Sequence, residues 1–461
     1  MSSHLESSAP PVTRELAAFT VKAVHEGIAE RTRREAVRTF VNWLGCAVGG
    51  ARHPAVDIAL DALAPYSGPA EFTVPGREPK ADLFGATLAM GIASHVFDFD
   101  DTHLKSIIHP AGPVASALLP LSERDRLSGS AFLVALIVGI EVECRLGNAV
   151  YPAHYDIGWH ITGTTGVFGA AAAASRVLGL DGDQATYALG IAGTQSSGFR
   201  EMFGSMCKSF HVDAAAKNGL LAALLAQRGF TSSTRGIEAP RGFANVMSTT
   251  RDYDEISQDL GVRWESELNT YKPFACGIVI HPSIDGAVQV ARDSGVAAED
   301  VASIELTVHP LVLELTGNKA PKTGLQSKFS VFHAAAAGYI YGRAGEHEFS
   351  DEVVTDSRVI ALRDKITASV GPGIREDEVR IVLTTRDGRR IEKHVEHSIG
   401  SLDRPLTDDG ISAKFLDLAE AVIGRDAARR ALESAWAVEG SEDLTQLLAI
   451  ARSKPLRSAA E

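Results

Sequence analysis

Apolar residues recur at helical spacing, in Ala-rich blocks, over most of the first half of the chain, and this periodicity restricts the fold more than any other feature. The blocks Ala55–Leu63, Ala86–Ala93, Ala131–Leu146, Val167–Leu178 and Ala214–Leu225 read as buried or half-buried helices. From about Tyr271 the texture changes. Ile304 to Val308 alternates as a strand does, and Val379–Leu383 runs into Asp387-Gly388 and out through Ile391 to Val395, the pattern of a β-hairpin. Helical periodicity returns in Ala413–Ile423 and Ala427–Ala435. The expected fold is therefore mainly α. A large all-helical domain over 1–268, completed by 402–461, would carry an inserted, smaller α+β lid domain over 269–401.

The 461 residues, 45% hydrophobic, suffice for a large core, and a net charge of −13 with mixed signs offers no basic stripe for nucleic acid. Such a field repels small anions, so a site for a carboxylate must be positive locally. The first residues show no basic stretch leading into an apolar one, and the longest apolar run, Ala131–Ile140, is too short to span a bilayer. A cytoplasmic protein with no membrane partner is the expectation. Cys46, Cys144, Cys207 and Cys276 are scattered without a C-x-x-C pair, which leaves no signature for a disulfide framework or a cysteine-ligated metal. No phosphate-binding loop, zinc helix or nucleophile elbow is present. Gly163, Gly166 and Gly169 follow no strand and suit close helix packing better than a dinucleotide turn.

Chemistry concentrates in a few short stretches. Ser94 to Pro110 reads S-H-V-F-D-F-D-D-T-H-L-K-S-I-I-H-P, and carboxylates interleaved with imidazoles can set histidine tautomers or move protons near neutral pH. Acids at this spacing also cap helices, so a structural role competes. His160 precedes an Ala-rich helix, where the dipole favours neutral imidazole. Lys208, in M-C-K-S-F-H, introduces another such helix and would add to its positive end, an arrangement suited to an anion. Lys272 and His281 mark the boundary into the middle zone.

These stretches together resemble the MmgE/PrpD family. The resemblance is carried by F-D-F-D-D-T-H and H-P-A-G-P within Phe97–Pro113, W-H-I-T-G-T-T-G at the start of Trp159–Leu180, and M-C-K-S-F-H-V-D-A-A-A-K-N-G over Met206–Gly219. Y-K-P-F-A-C-G-I-V-I-H-P over Tyr271–Pro282 and K-F-S-V-F-H-A-A-A-A-G over Lys328–Gly338 extend it along most of the chain. It implies a homodimer with a pocket between two domains, no metal and no organic cofactor, and a small polycarboxylate substrate. The catalytic residues it implies are His109, His160, Lys208 and Asp98, with Thr102, Lys272, His281 and His333 binding substrate. Relatives include 2-methylcitrate dehydratases, cis-aconitate decarboxylases and iminodisuccinate epimerases. The implied activity is a cofactor-independent lyase acting by proton transfer next to a carboxylate, with a dicarboxylate epimerase as the alternative and a noncatalytic polycarboxylate binder behind both. Where animal-type decarboxylases carry a pocket tyrosine this chain has His333, where they carry a histidine it has Gly277, and the W-G-H-P form of the first motif is absent. The substrate is therefore left open.

Overall fold

The computed structural model describes residues 9–452, so the first eight residues read for a leader, and the last nine, lie outside the described residues. Helices make up 59% of the described residues and strands 9%, so the fold is mainly α. The chain forms two compact units. One comprises Met1–Val96, Asp100–Asn269 and Ile411–Glu461, the other Phe97–Phe99 and Thr270–Gly410.

The first unit is helical. Its central elements are α1 (Glu30–Gly50), α2 (Leu83–His95), α3 (Ala111–Asp125), α4 (Gly129–Val150), α5 (Ile161–Val177) and α6 (Cys207–Gln227). Local chemistry fixes their starts. Asp82 caps α2 by accepting from the amides of Phe84 and Gly85 at 3.0 and 2.9 Å, and Ser128 caps α4 by accepting from Ala131. Small residues let the helices approach closely. A Cβ on Gly139 of α4 would lie 2.8 Å from the Gly169 carbonyl of α5, and one on Gly169 equally close to the Gly139 carbonyl. Gly163, Gly166 and Gly169 thus serve helix packing. Nearly every residue of α5 from Ile161 to Ser175 is buried, which accounts for its all-round Ala, Gly and Thr composition. Phe40, Trp43 and Phe132 fill the space between α1 and α4, with Phe40 edge-on to Phe132 at 4.8 Å. From the C-terminal part, α9 (Asp408–Ile423) sets Phe415 against Gly45 and donates from Lys414 to Asn42 at 2.7 Å.

The second unit contains α7 (His281–Ser294), α8 (Val331–Tyr341) and a four-stranded sheet of β1 (Val301–Val308), β2 (Ile366–Val370), β3 (Val379–Thr385) and β4 (Arg390–Val395). The strand order is β2-β1-β3-β4. β1 runs parallel to β2, pairing Ile304 with Ile366, and antiparallel to β3, pairing Leu306 with Ile381. β3 and β4 form the hairpin the sequence announces, with Val379 opposite Val395 and Leu383 opposite Ile391. Gly388 at φ +86° supplies the left-handed residue of its turn. One face of the sheet is apolar, and Gly286 of α7 lies so close to Ile381 that a Cβ would come within 2.5 Å of it.

Candidate active site

In the first unit, α2 ends at His95, the first turn of α6 holds Lys208, and His160 is the N-cap residue of α5. The connection between α2 and α3 brings in His109. Two residues of that connection, Asp98 and Ile107, have positive φ, +52° and +58°. Asp tolerates this region, but for a β-branched residue it is a strained conformation that the surroundings must enforce. The strain at Ile107 lies two residues before His109.

His95, His109, His160 and His211 form one buried group. The His95 ring centroid is 4.7 Å from that of His109 and 6.0 Å from that of His160. His160 and His211 approach Nδ1 to Nδ1 at 2.9 Å. Beneath them lies Asp100, fully buried, with Oδ2 2.7 Å from His95 Nδ1 and Oδ1 3.5 Å from His109 Nδ1. His109 Nδ1 also lies 2.8 Å from the Asp101 carbonyl oxygen, an acceptor only, so Nδ1 carries the proton in the neutral ring. Thr102 Oγ1 is 3.3 Å from the same nitrogen, and the His109 amide donates to Thr162 Oγ1 at 3.1 Å.

Charge is distributed unevenly. Burial, then Lys208 and the neighbouring histidines, push His160 well below the usual imidazole range. Burial, His95 and Lys208 bring His211 down to about 4. Both are neutral at pH 7. The Lys208 ammonium is almost buried and lies 5.3 Å above the Phe203 ring, which also meets the edge-on His160 ring at 5.1 Å. The same unit also buries acids. Burial and the adjacent Asp100 raise Asp101 to about 7, although Asn269 and the Ala111 amide donate to it. Burial and Asp101 raise Glu143 of α4 well above the carboxylate range. The Glu143 carboxyl lies over Gly166 and Gly169, where a Cβ would meet Oε2 at 3.1 and 2.9 Å. His103 is held apart from this chemistry by Ser106 at 2.7 Å and Glu265 at 3.1 Å.

The structure thus brings His109, His160, Lys208 and Thr102 into the first unit. The remaining residues read from the sequence lie in the second. There Lys272 Nζ contacts Asp98 Oδ1 at 2.5 Å and its carbonyl oxygen at 3.1 Å, so Lys272 and Asp98 neutralise each other. Lys328 Nζ donates to the carbonyls of Phe97 and Ala275 and pairs with Glu346 at 2.6 Å. These bonds explain why Phe97–Phe99 belongs to the second unit and not to the first domain drawn from the sequence. His281, at the start of α7, is buried with Nε2 3.3 Å from the Cys276 carbonyl oxygen. His333, on α8, is fully buried, donates to the Glu348 carbonyl at 3.0 Å and is lowered to about 4 by burial. That is the setting of a packed histidine.

Sequence reasoning did not assign roles to His95, Asp100, His211 or Glu143. The first two flank a tight connection and His211 lies three residues after Lys208, one helical turn on, which is the signal available for it. One ligand atom from each of His95, Asp100 and His109 falls within 4.8 Å of the others, close enough to grip a small cation. The 2.7 Å bond between His95 and Asp100 accounts for the clustering by proton sharing instead.

Two sequence profiles match the chain, the MmgE/PrpD N-terminal domain over residues 14–256 and the MmgE/PrpD C-terminal domain over residues 274–439. The chain belongs to the MmgE/PrpD family. Among its relatives in the family is the cis-aconitate decarboxylase-like protein oryM of Aspergillus oryzae (strain ATCC 42149 / RIB 40). It is 27% identical over 467 residues, covering 95% of this chain and 97% of the relative. The cis-aconitate decarboxylase of Mus musculus is 26% identical over 83% of this chain and 82% of its own length. The 2-methylcitrate dehydratase of Escherichia coli (strain K12) is 22% identical, with coverage of 89% and 90%. By name these relatives are carbon–carbon and carbon–oxygen lyases. Among the described residues, no helix is long and apolar enough to cross a membrane.

Proposed function

We propose that this protein is a cofactor-independent lyase that acts on a small di- or tricarboxylate by proton transfer at the carbon next to a carboxylate. The observation that carries the reading is the placement of neutral His160 beside the Lys208 cation, within one intervening ring of His109. The names of the relatives support the reaction type. A substrate carboxylate binds near Lys208, where charge-assisted hydrogen bonds are strong in a buried setting. His160 accepts the proton from the adjacent carbon, and the enediolate-like charge that develops is stabilised by the ammonium. Because Nδ1 of His109 is committed to the Asp101 carbonyl, the protonated, imidazolium form of the ring gives its proton from Nε2 and returns to the neutral Nδ1–H form. In dehydration that proton joins the departing β-hydroxyl, so the C–O bond breaks, water leaves and a C=C bond forms. In decarboxylation the C–C bond to a carboxylate breaks, carbon dioxide leaves, and the proton goes to carbon. Asp98, Thr102, Lys272 and His281 contribute to binding in this reading, and the enzyme works as a homodimer in the cytoplasm.

The test is NMR of a polycarboxylate panel, including cis-aconitate and 2-methylcitrate, in deuterated buffer. Appearance of an alkene product with loss of water or carbon dioxide supports the lyase. Exchange and inversion at carbon without loss of a group would make it an epimerase, and line broadening with neither would make it a binding protein.

A further inference from the structure

His95 was not among the residues assigned from sequence, yet it occupies the middle of the histidine group. It is the last residue of a thirteen-residue helix, α2, so the negative end of the helix dipole faces it. Its Nδ1 is bonded to a carboxylate, Asp100, that is itself fully buried and reaches His109 with its second oxygen. His160 has the opposite setting, at the positive end of α5 and near Lys208. We infer that Asp100 and His95 are a positioning pair: the carboxylate holds a positive charge on His95, and that charge keeps the His160–His211 pair neutral and ready to accept a proton.

The inference rests on the reading of His160 as the base and deepens it, since the His95 charge adds to burial and Lys208 in keeping that base unprotonated. A carboxylate hydrogen-bonded to imidazole in a buried site favours the imidazolium form. A second imidazolium with its ring centre 6.0 Å away would meet repulsion that little solvent screens. Within the first unit, Asp100 and His109 from the connection to α3 and His160 from the start of α5 lie against His95, Asp101 adjoins Asp100, and His211 and Lys208 from α6 act on the same group of rings. Asp213 packs its backbone against Gly91 of α2. Burial raises Asp213 to about 7, so it adds little negative charge to offset Lys208 below that pH. The histidine protons are therefore shared as a set, and changing one member moves the others.

The test is an NMR titration of the histidine rings in the full-length, substrate-free protein, which needs no turnover. In the unaltered protein at pH 7, His95 should show both ring nitrogens protonated while His160 and His211 show one proton each. In His95→Gln the titration midpoint of His160 should rise by about a unit, and in Asp100→Asn the imidazolium signal of His95 at pH 7 should disappear. Kinetically, His95→Gln should move the acid limb of the kcat profile upward in pH and leave KM nearly unchanged, which a merely structural role would not do. A neutral His95 at pH 7 in the unaltered protein, or a His160 midpoint unchanged in a folded His95→Gln, overturns the inference. If the titrations behave as stated while every carboxylate in the panel stays inert, the charge division stands and the lyase reading fails. Turnover with a neutral His95 would fail the inference alone.

Discussion

The Nδ1 atoms of His160 and His211 lie 2.9 Å apart. Two ring nitrogens approach this closely only when one carries a proton and the other presents a lone pair, so the contact excludes a doubly charged pair. With His160 held well below the usual range and His211 at about 4, the proposed base is in its accepting form throughout neutral pH. The kcat/KM profile should be bell-shaped, with its acid limb, set by this pair, displaced to the acid side of the usual imidazole range. His160→Gln should abolish that limb along with most of the activity, whereas His109→Gln should remove the alkaline limb. A double variant with full activity would dissolve the proposed pair.

Lys208 lies in the first turn of α6 and is nearly buried over the Phe203 ring. An ammonium so placed suits an incoming carboxylate and the charge that develops on it. Lys208→Ala should lower kcat/KM by about a hundredfold or more, ~3 kcal/mol, with the unfolding midpoint little changed. Lys208→Arg should restore only part, because the broad guanidinium does not reproduce a compact ammonium in a tight space. Near-normal kinetics in the alanine variant would remove Lys208 from the site.

The positions of His160 and Lys208 were legible because each breaks an Ala-rich helical run at its start, and chain composition alone marks such a break. The β3–β4 hairpin was legible for a similar reason, since Asp387-Gly388 has few uses other than a turn. His95 was not legible. In the sequence it closes an apolar run, and its partner Asp100 looks like one acid among three. What joins them is a connection with Asp98 and Ile107 at positive φ, and isoleucine is among the residues least expected there. Glu143 was hidden differently. In E-V-E-C-R it reads as an ordinary polar helix position, and its burial depends on Gly166 and Gly169 lying opposite it on another helix. Asp98 reads as continuous with the acids after it, but its pairing with Lys272 draws it into the second unit, and only tertiary structure decides that.

Activity should survive exhaustive chelation. Cys46, Cys144 and Cys276 are buried as free thiols at distant points of the sequence, and Cys207 is exposed. His95, Asp100 and His109 are engaged with one another through hydrogen-bonding and ionic contacts. Dialysis against EDTA followed by assay should show unchanged kcat. Activity lost on dialysis and restored by one divalent metal would reassign the His95, Asp100 and His109 group to an ion.

Glu143 gives a test of stability free of catalysis. It is fully buried, and among the described residues neither carboxyl oxygen has a hydrogen-bond partner. Burial and then Asp101 raise its pKa well above 4.5, so the native state keeps the proton that the unfolded chain gives up near its ordinary value. Between those two pH values the native state binds more protons than the unfolded state. The stability contributed by the protonated group is therefore complete below about pH 4 and is lost progressively as pH rises toward the native value. Glu143→Gln removes this proton requirement while preserving shape. Its stability relative to the parent should thus improve with pH, becoming more favourable by on the order of 1–3 kcal/mol between pH 5 and pH 8. Whatever constant cost the buried amide adds cancels in that difference. Urea unfolding of both proteins at the two pH values reads it directly. A difference that stays flat with pH would mean that Glu143 ionises alike in both states, and the raised acid beneath α5 would have to be abandoned.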